Sequence, residues 1–493
     1  MPTLVIVNDP KDWPLHIPGV EVVSSRQYLT DASFAALRST RVFNLCRSYQ
    51  YQSLGYYVSL LAAARSHRPL PSVITMQDLK SHTIVRSVTE DLHDLIQRSL
   101  RPLQAQRFVL SIYFGQNTAK RYAALSRALF NLLPAPMLRA EFARDSRQWQ
   151  LLRVKAVSMN EVPESHRSFV LSAATEYFAG RRPASGQRRV TQYDLAILHA
   201  PDQPDTAPSD PKAMRKFADA AEELGFGVYL ITREDFGHVA EFDAMLIREM
   251  TQVNHHTYRF SRRAAAEGVV VMDDPESIVR CTNKVFLAEM LDRHRISGPR
   301  TMIVHRQNAA SVERELGLPC ILKEPDGSFS TGVRKATTSA ELAQYTAELL
   351  DRSDLVIAQE FTPTEFDWRI GILDRKPLYA CKYHMAPKHW QIVSQDGRGG
   401  RRYGAVEAVP MEGVPRGILR NALRAANLIG DGLYGVDMKQ FGRRNLVIEV
   451  NDNPTIEAGE EDGVLGDELY ERIMRVFLTR VRGRGLKQGG ARR

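Results

Sequence analysis

Short apolar runs alternate with polar, helix-forming stretches along most of this chain. Thr3 to Asn8, Phe108 to Phe114 and Trp149 to Lys155 read as strands, and the Ala- and Leu-rich stretch Tyr57 to His67 reads as a helix. A second pattern begins with the clean strand Tyr193 to His199. It continues through the amphipathic helix Asp210 to Leu224 and the strand Gly227 to Ile231, a strand-helix-strand unit. Phe242 to Arg248 and Gly268 to Met272 add two apolar runs, so this region predicts a small parallel sheet, and it has no GxGxxG. From Thr282 the units become larger. Helices are expected at Asn283 to Arg293 and Ser339 to Leu350, with strands at Met302 to Val304, Cys320 to Lys323, Val356 to Phe361, Phe366 to Leu373 and Leu378 to Lys382.

The last strong apolar run, Val447-Ile448-Glu449-Val450, leads into Asn451-Asp452-Asn453-Pro454. Pro454 stops the strand, and the period of two places Glu449 and Asn451 on one face. Upstream lies Gly435-Val436-Asp437-Met438-Lys439-Gln440. A five-residue turn at Phe441 to Asn445 pairs Gln440 with Leu446 and sets Asp437 opposite Glu449. Three oxygen donors then converge, a set suited to magnesium with nucleotide phosphates and poorly suited to zinc.

Length and charge narrow the picture. A chain of 493 residues, 43% hydrophobic and 25% charged, implies about three globular domains with ample core. The polar stretch Gly180 to Arg189 marks a linker. The start of the chain lacks a basic n-region or cleavage site, and runs such as Leu60 to Ala64 are far too short to span a bilayer. Cys46, Cys281, Cys320 and Cys381 show no CxxC spacing and fit unpaired thiols in a reducing cytoplasm. The net charge of +9 is partly terminal, from Arg480, Arg482, Arg484, Lys487, Arg492 and Arg493 in a Gly-rich tail expected to be flexible. An anionic substrate such as ATP accounts for an internal positive bias.

Three further features carry nucleotide chemistry. Lys323 ends a buried strand before the small-residue loop Glu324 to Val333, whose amides suit phosphates although no Walker A motif is present. Gln359-Glu360 ends another strand where backbone groups match a purine edge, with Asp367 in reach of a ribose hydroxyl. Arg369 shares the face of Asp367, and a plain salt bridge is the competing reading for both. Lys382, at the end of the next strand, offers a cation to a transferring phosphate, or is a solvated lysine. His255 and His256 have no partner carboxylate at ligand spacing and read as a loop or helix start. Arg248 and Arg280 either line a substrate cleft or are surface charges.

The order Asn283-Lys284, Lys323, Gln359-Glu360-Phe361, Asp367-Trp368-Arg369, Lys382, Asp437 and Glu449-Val450-Asn451 resembles the ATP-grasp superfamily, in its RimK-like branch of carboxylate-amine ligases. Ser53 to Leu60 and Leu70 to Val73 are similar to the N-terminal domain attached to some of those proteins. The resemblance implies an α/β chain with an α+β ATP-grasp fold. An N-terminal α/β domain over 1–180 and a linker at 181–192 precede a small parallel-sheet pre-ATP-grasp domain over 193–281. A two-subdomain ATP-grasp module at 282–480 and a basic tail at 481–493 follow. It further implies that Lys284 and Lys323 contact ATP phosphates, that Gln359, Glu360 and Phe361 border adenine, and that Asp367 meets the ribose. Asp437, Glu449 and Asn451 would hold Mg2+, with Mn2+ as a substitute, and Arg369 and Lys382 would face the reacting groups. The implied reaction makes an acyl phosphate that an amine attacks, joining a carboxylate to an amino acid, peptide or protein and releasing ADP and phosphate.

Lys382 to Ile392 and Gly397 to Tyr403 depart from the family's Arg-rich strand and Asn-containing loop. Arg402 takes the neighbouring catalytic role in this reading, and glutamate addition to a ribosomal protein is not implied. The competing classes are a non-catalytic ATP-binding regulator and an RNA- or ribosome-associated protein. Nucleic acid and membrane are disfavoured as partners, and the oligomeric state is open.

Overall fold

The computed structural model describes residues 3–13, 15–37, 40–65, 67–81, 85, 88–89, 92–145, 148–179, 191–202, 207–326, 332–387, 389–395 and 401–489, with backbone alone for 35, 179, 393–395, 401–403 and 485–489. Residues 180–190, most of the expected linker, lie outside the described residues. The chain divides into two compact units, 1–196 with 225–243 and 481–493, and 197–224 with 244–480.

In the first unit, strands β1 (Thr3–Val7), β2 (Val20–Ser24), β3 (Arg41–Asn44) and β4 (Arg68–Leu70) form a parallel sheet in the order β2–β1–β3–β4. Strands β5 (Arg107–Tyr113), β6 (Met137–Asp145) and β7 (Gln148–Ala156) form an antiparallel sheet. Val5, Phe43, Leu110, Phe142 and Trp149 belong to one core. The helix expected from Tyr57 starts earlier, at Leu54–Ala64, because the Ser53 hydroxyl accepts from the Tyr56 amide as an N-cap. Gly55 is required there, since a Cβ would run into the Ser48 carbonyl.

Strands β8 (Tyr193–Leu198), β9 (Phe226–Ile231), β10 (Ala244–Ile247) and β11 (Val270–Met272) line up as β11–β10–β8–β9, with β10 and β11 parallel. Asp210 caps the helix Pro211–Glu223, and proline at its first position fits a helix start.

The second unit carries two antiparallel sheets. Strands β12 (Thr301–Val304), β13 (Cys320–Lys323), β14 (Val333–Ala336) and β15 (Val356–Glu360) run in the order β12–β15–β13–β14. Val304, Leu322 and Ala358 pack on Leu342, Leu349 and Leu350 of the helix Ser339–Leu350. Strands β16 (Phe366–Leu373), β17 (Lys376–His384), β20 (Val406–Ala408), β21 (Leu433–Phe441) and β22 (Arg444–Asn451) form the larger sheet, β20–β17–β16–β21–β22. The short strands β18 (Val393–Gln395) and β19 (Arg401–Tyr403) pair with each other as a separate two-stranded sheet.

One face of the larger sheet is apolar. Trp368, Ile370, Val436, Met438 and Val450 share a core with Ile418, Ala422 and Ala426 of the helix Arg416–Ile429. The period of two sends Asp367, Arg369, Asp437 and Lys439 to the other face.

The β21–β22 hairpin corrects the sequence reading in an instructive way. Gln440 pairs with Asn445, not Leu446, and the turn is the two residues Gly442-Arg443, with Gly442 at φ +58°. A bulge between Asp437 and Met438 then restores Asp437 opposite Glu449. The four cysteines are buried and free. The final helix, Asp467–Gly489, runs past Arg480, where composition placed the start of the tail. No helix among the described residues is long and apolar enough to cross a membrane.

Candidate active site

The polar face of the larger sheet is a set of interlocked ion pairs. Arg369 of β16 lies directly across from Asp437 of β21. It grips that carboxylate with two bonds, Nε to Oδ1 at 2.7 Å and a terminal nitrogen to Oδ2 at 2.9 Å. The Asn451 amide nitrogen, at the end of β22, donates to Asp437 Oδ2 at 3.1 Å. Glu449, one step up the same face, meets the Lys284 ammonium at 3.2 Å. Lys439 bonds Asp367 at 2.6 Å and the Thr364 hydroxyl at 2.7 Å.

Lys284 reaches this face because its helix is locked to the loop after β13. Asn283 caps the helix with its Oδ1 and donates from Nδ2 to Asp326 at 2.8 Å, while the Lys284 amide donates to the Pro325 carbonyl at 2.9 Å. Lys323, at the end of β13, sits close enough to feel Glu449, Lys284, Lys439 and Asp367. Burial lowers its ammonium to about 8, and the like charges of Lys284 and Lys439 add to that. Burial pushes Asp437 up in spite of the Arg369 guanidinium. Burial also acts against Glu449, but Lys284 and Lys323 outweigh it and hold that carboxyl low.

Four cations, Lys284, Lys323, Arg369 and Lys439, thus face three carboxylates, Asp367, Asp437 and Glu449. The excess suits a polyanion. The oxygens of Asp437, Glu449 and Asn451 form a hard-donor set on two adjacent strands, which fits Mg2+ shared with phosphates.

The structure does not bring every expected residue into this group. Lys382 pairs with Trp368, so it points to the opposite face, where it meets Glu407 at 3.0 Å beside the rings of Phe366 and Trp368. Glu360 is tied to Arg444, the Arg300 amide and the Arg300 side chain. Burial opposes its charge, but these bonds bring it down to about 2. Gln359 donates to Thr301 at 3.0 Å across β12 and β15. Phe361 carries the Lys335 ammonium 3.8 Å above its ring and meets Trp390 edge-on. The Arg402 side chain and loop residues 327–331 lie outside the described residues.

Other residues emerge from the geometry alone. Lys439 follows Asp437 by two on one strand, so strand periodicity could have found it. Tyr383, paired with Asp367 across the sheet, stacks under Arg369 at 4.5 Å and donates to Glu461. Arg248 is neither a cleft residue nor a surface charge. At 1% exposure it bonds Ser209, the Pro208 and Pro454 carbonyls, and Asn453 at 2.7 Å, locking the segment after β22 in place. Arg280 joins Glu276 and the Ile429 carbonyl.

Residues 25–173 match the RimK-like ATPgrasp N-terminal domain, and residues 281–475 match the RimK-like ATP-grasp domain. The chain belongs to the RimK-like ATP-grasp family. These are ATP-binding ligases that form carbon–nitrogen bonds. The alpha-aminoadipate–LysW ligase LysX of Saccharolobus solfataricus is 26% identical over 49% of this RimK-like chain and 88% of its own length. A probable alpha-L-glutamate ligase of Shewanella amazonensis is 25% identical over 56% of this chain and 95% of its own. Among solved structures, the D-alanine–D-alanine ligase of Bacillus anthracis aligns with 59% of this chain and 99% of its own, at 13% identity and a TM-score of 0.46. In this RimK-like protein the family match takes in Lys284, Lys323, Arg369, Asp437, Glu449 and Asn451 together.

Proposed function

We propose that this chain is a Mg2+-dependent carboxylate–amine ligase acting in the cytoplasm on an amino acid, peptide or protein. The observation that carries the reading is the single polar face on which Arg369, Lys284 and Lys323 converge with Asp437, Glu449 and Asn451. In this reading Lys284 and Lys323 hold the ATP phosphates, and the strand end at Gln359-Glu360 with the Phe361 ring borders the adenine. Asp367 meets the ribose once its bond to Lys439 is exchanged. Asp437, Glu449 and Asn451 hold Mg2+, which would supply charge neutralisation at the phosphate oxygens. A substrate carboxylate oxygen bonds to the γ-phosphorus as the bond to the ADP oxygen breaks. The amine nitrogen then bonds to the acyl carbon and loses a proton as inorganic phosphate leaves. Arg369, fixed by Asp437 and Tyr383, is placed to stabilise the negative charge of the transferring group. Lys382, on the opposite face, and Arg402 have no role in this account.

The aminoadipate and glutamate named for the relatives make an acidic amino acid the first substrate to try. Incubation with ATP, Mg2+ and pooled amino acids or peptides is expected to release ADP and give an amide product by mass spectrometry. Lys323→Ala and Glu449→Ala are each expected to reduce ADP release by 100-fold or more, on the order of losing one transition-state charge contact. Undiminished ligation in either folded variant refutes the assignment.

A further inference from the structure

The segment following β10 and the start of the helix His256–Ala266 bring together Glu249, His255 and His256, whose ligand atoms all lie within 4.8 Å of one another. The carboxylate that the sequence reading found missing is therefore present, supplied by Glu249, which is only 5% exposed. Its Oε1 lies 2.7 Å from His256 Nε2 and 3.9 Å from His255 Nε2. At His256 the separation is short, yet the buried Nε2 makes no hydrogen bond.

The tautomer of His255 is set by its neighbours. The Thr257 hydroxyl donates to the Met250 carbonyl at 3.0 Å, so at 3.0 Å from His255 Nδ1 it accepts the Nδ1 proton. That leaves Nε2 with its lone pair turned towards Glu249. Imidazoles that ligate metals hold the other ring proton on an oxygen in this way. A ring lone pair and a carboxylate facing one another repel unless a cation lies between them, and the unbonded Nε2 of His256 is free to join in holding it.

We propose that Glu249, His255 and His256 form a site for a divalent transition ion of the zinc class, separate from the oxygen-donor set at Asp437, Glu449 and Asn451. Two imidazoles and one carboxylate are a donor set found in zinc sites with one position left for water or substrate, and nitrogen donors select against Mg2+. The Glu249 carbonyl accepts from the Asn453 side chain at 2.7 Å, so the ion would brace the loop that carries the end of the C-terminal motif.

The test uses untagged full-length protein, stripped with EDTA and titrated with CoCl2. One ion per chain should give the intense visible bands of low-coordinate Co2+, and ZnCl2 should erase them. Glu249→Gln and His256→Gln should abolish the bands, while Asp437→Asn should keep them. X-ray absorption at the zinc edge of the unmutated protein provides a check that needs no variant, with scattering from two imidazoles expected. Weak octahedral Co2+ spectra, bands indifferent to Glu249→Gln and His256→Gln, or a zinc shell without imidazole would each overturn the proposal.

Discussion

Arg369→Met tests whether the two-bond clamp on Asp437 organises the polar face. The guanidinium and carboxylate side chains are 11% and 18% exposed, so water can only partly replace the lost partner. Breaking a buried pair from one side costs about 3–5 kcal/mol, and the residual exposure puts this case near about 3 kcal/mol. Glu449 and Asp367 already raise the Asp437 carboxyl, which adds to the burden on the orphaned charge. Adding Asp437→Asn removes that charge, so the double variant should recover about 2 kcal/mol relative to the sum of the singles. Urea unfolding followed by circular dichroism, fitted transition by transition, measures the cycle. If Asp437 also ligates Mg2+, the ion should raise the Tm of Arg369→Met more than that of the parent chain. A loss below about 1 kcal/mol, or strict additivity in the double variant, would refute the reasoning.

Lys323, lowered to about 8 by burial, should make ATP binding fall as pH rises through about 8, because the ammonium and not the amine attracts phosphate. Lys323→Arg should flatten that profile in calorimetric titrations between pH 7 and pH 9, a range of about two units around the shifted value. Glu360 is held at about 2 by Arg444 and Arg300 against an ordinary 4.5. Its folded value is depressed, so its contribution is complete above 4.5 and is lost as pH falls towards about 2. Discounted for the exposure of both arginines, the contribution is about 1–2 kcal/mol. Glu360→Gln should therefore destabilise the protein at pH 7 by that amount, with the difference shrinking below pH 4.5 and lost only near about pH 2, as read by urea midpoints.

The sequence made the Glu449–Asn451 end of the polar face legible because strand periodicity needs only residue spacing. Glu449 and Asn451, two apart, must share a face whatever the turn does, and so must Asp367 and Arg369. Opposition across strands was less secure. The shorter turn at Gly442-Arg443 and the bulge beside Asp437 shift the register in opposite senses and cancel. Lys382 shows where strand periodicity stops being informative. Its character as a strand-end cation was plain, but its face depends on pairing with Trp368, which no local pattern reveals. Arg248 depends on a contact with a segment far away in sequence, as with Asn453, and Glu249 meets His255 and His256 across the turn that precedes their helix, and periodicity is silent about both.

The ion pairs on the polar face imply a rule of exchange that one substitution can expose. Each carboxylate that would hold metal or ribose is paired with a cation: Glu449 with Lys284, Asp437 with Arg369 and Asp367 with Lys439. Nucleotide binding should move the lysines to phosphate and release oxygens to the metal, so phosphate and metal take opposite members of the same pairs. Lys284→Met separates these roles. Without nucleotide, the variant frees Glu449 from a partner at 3.2 Å, an attraction of about 5 kcal/mol at an effective dielectric near 20, most of it offset by solvation. Mn2+ alone should then bind about tenfold more tightly, equivalent to about 1.4 kcal/mol, while Mn-ATP binds more weakly because a phosphate contact is gone. Electron paramagnetic resonance of free Mn2+ reads the first change and nucleotide titration the second. Weaker binding of Mn2+ in both settings would mean that Lys284 supports the carboxylates instead of competing for them.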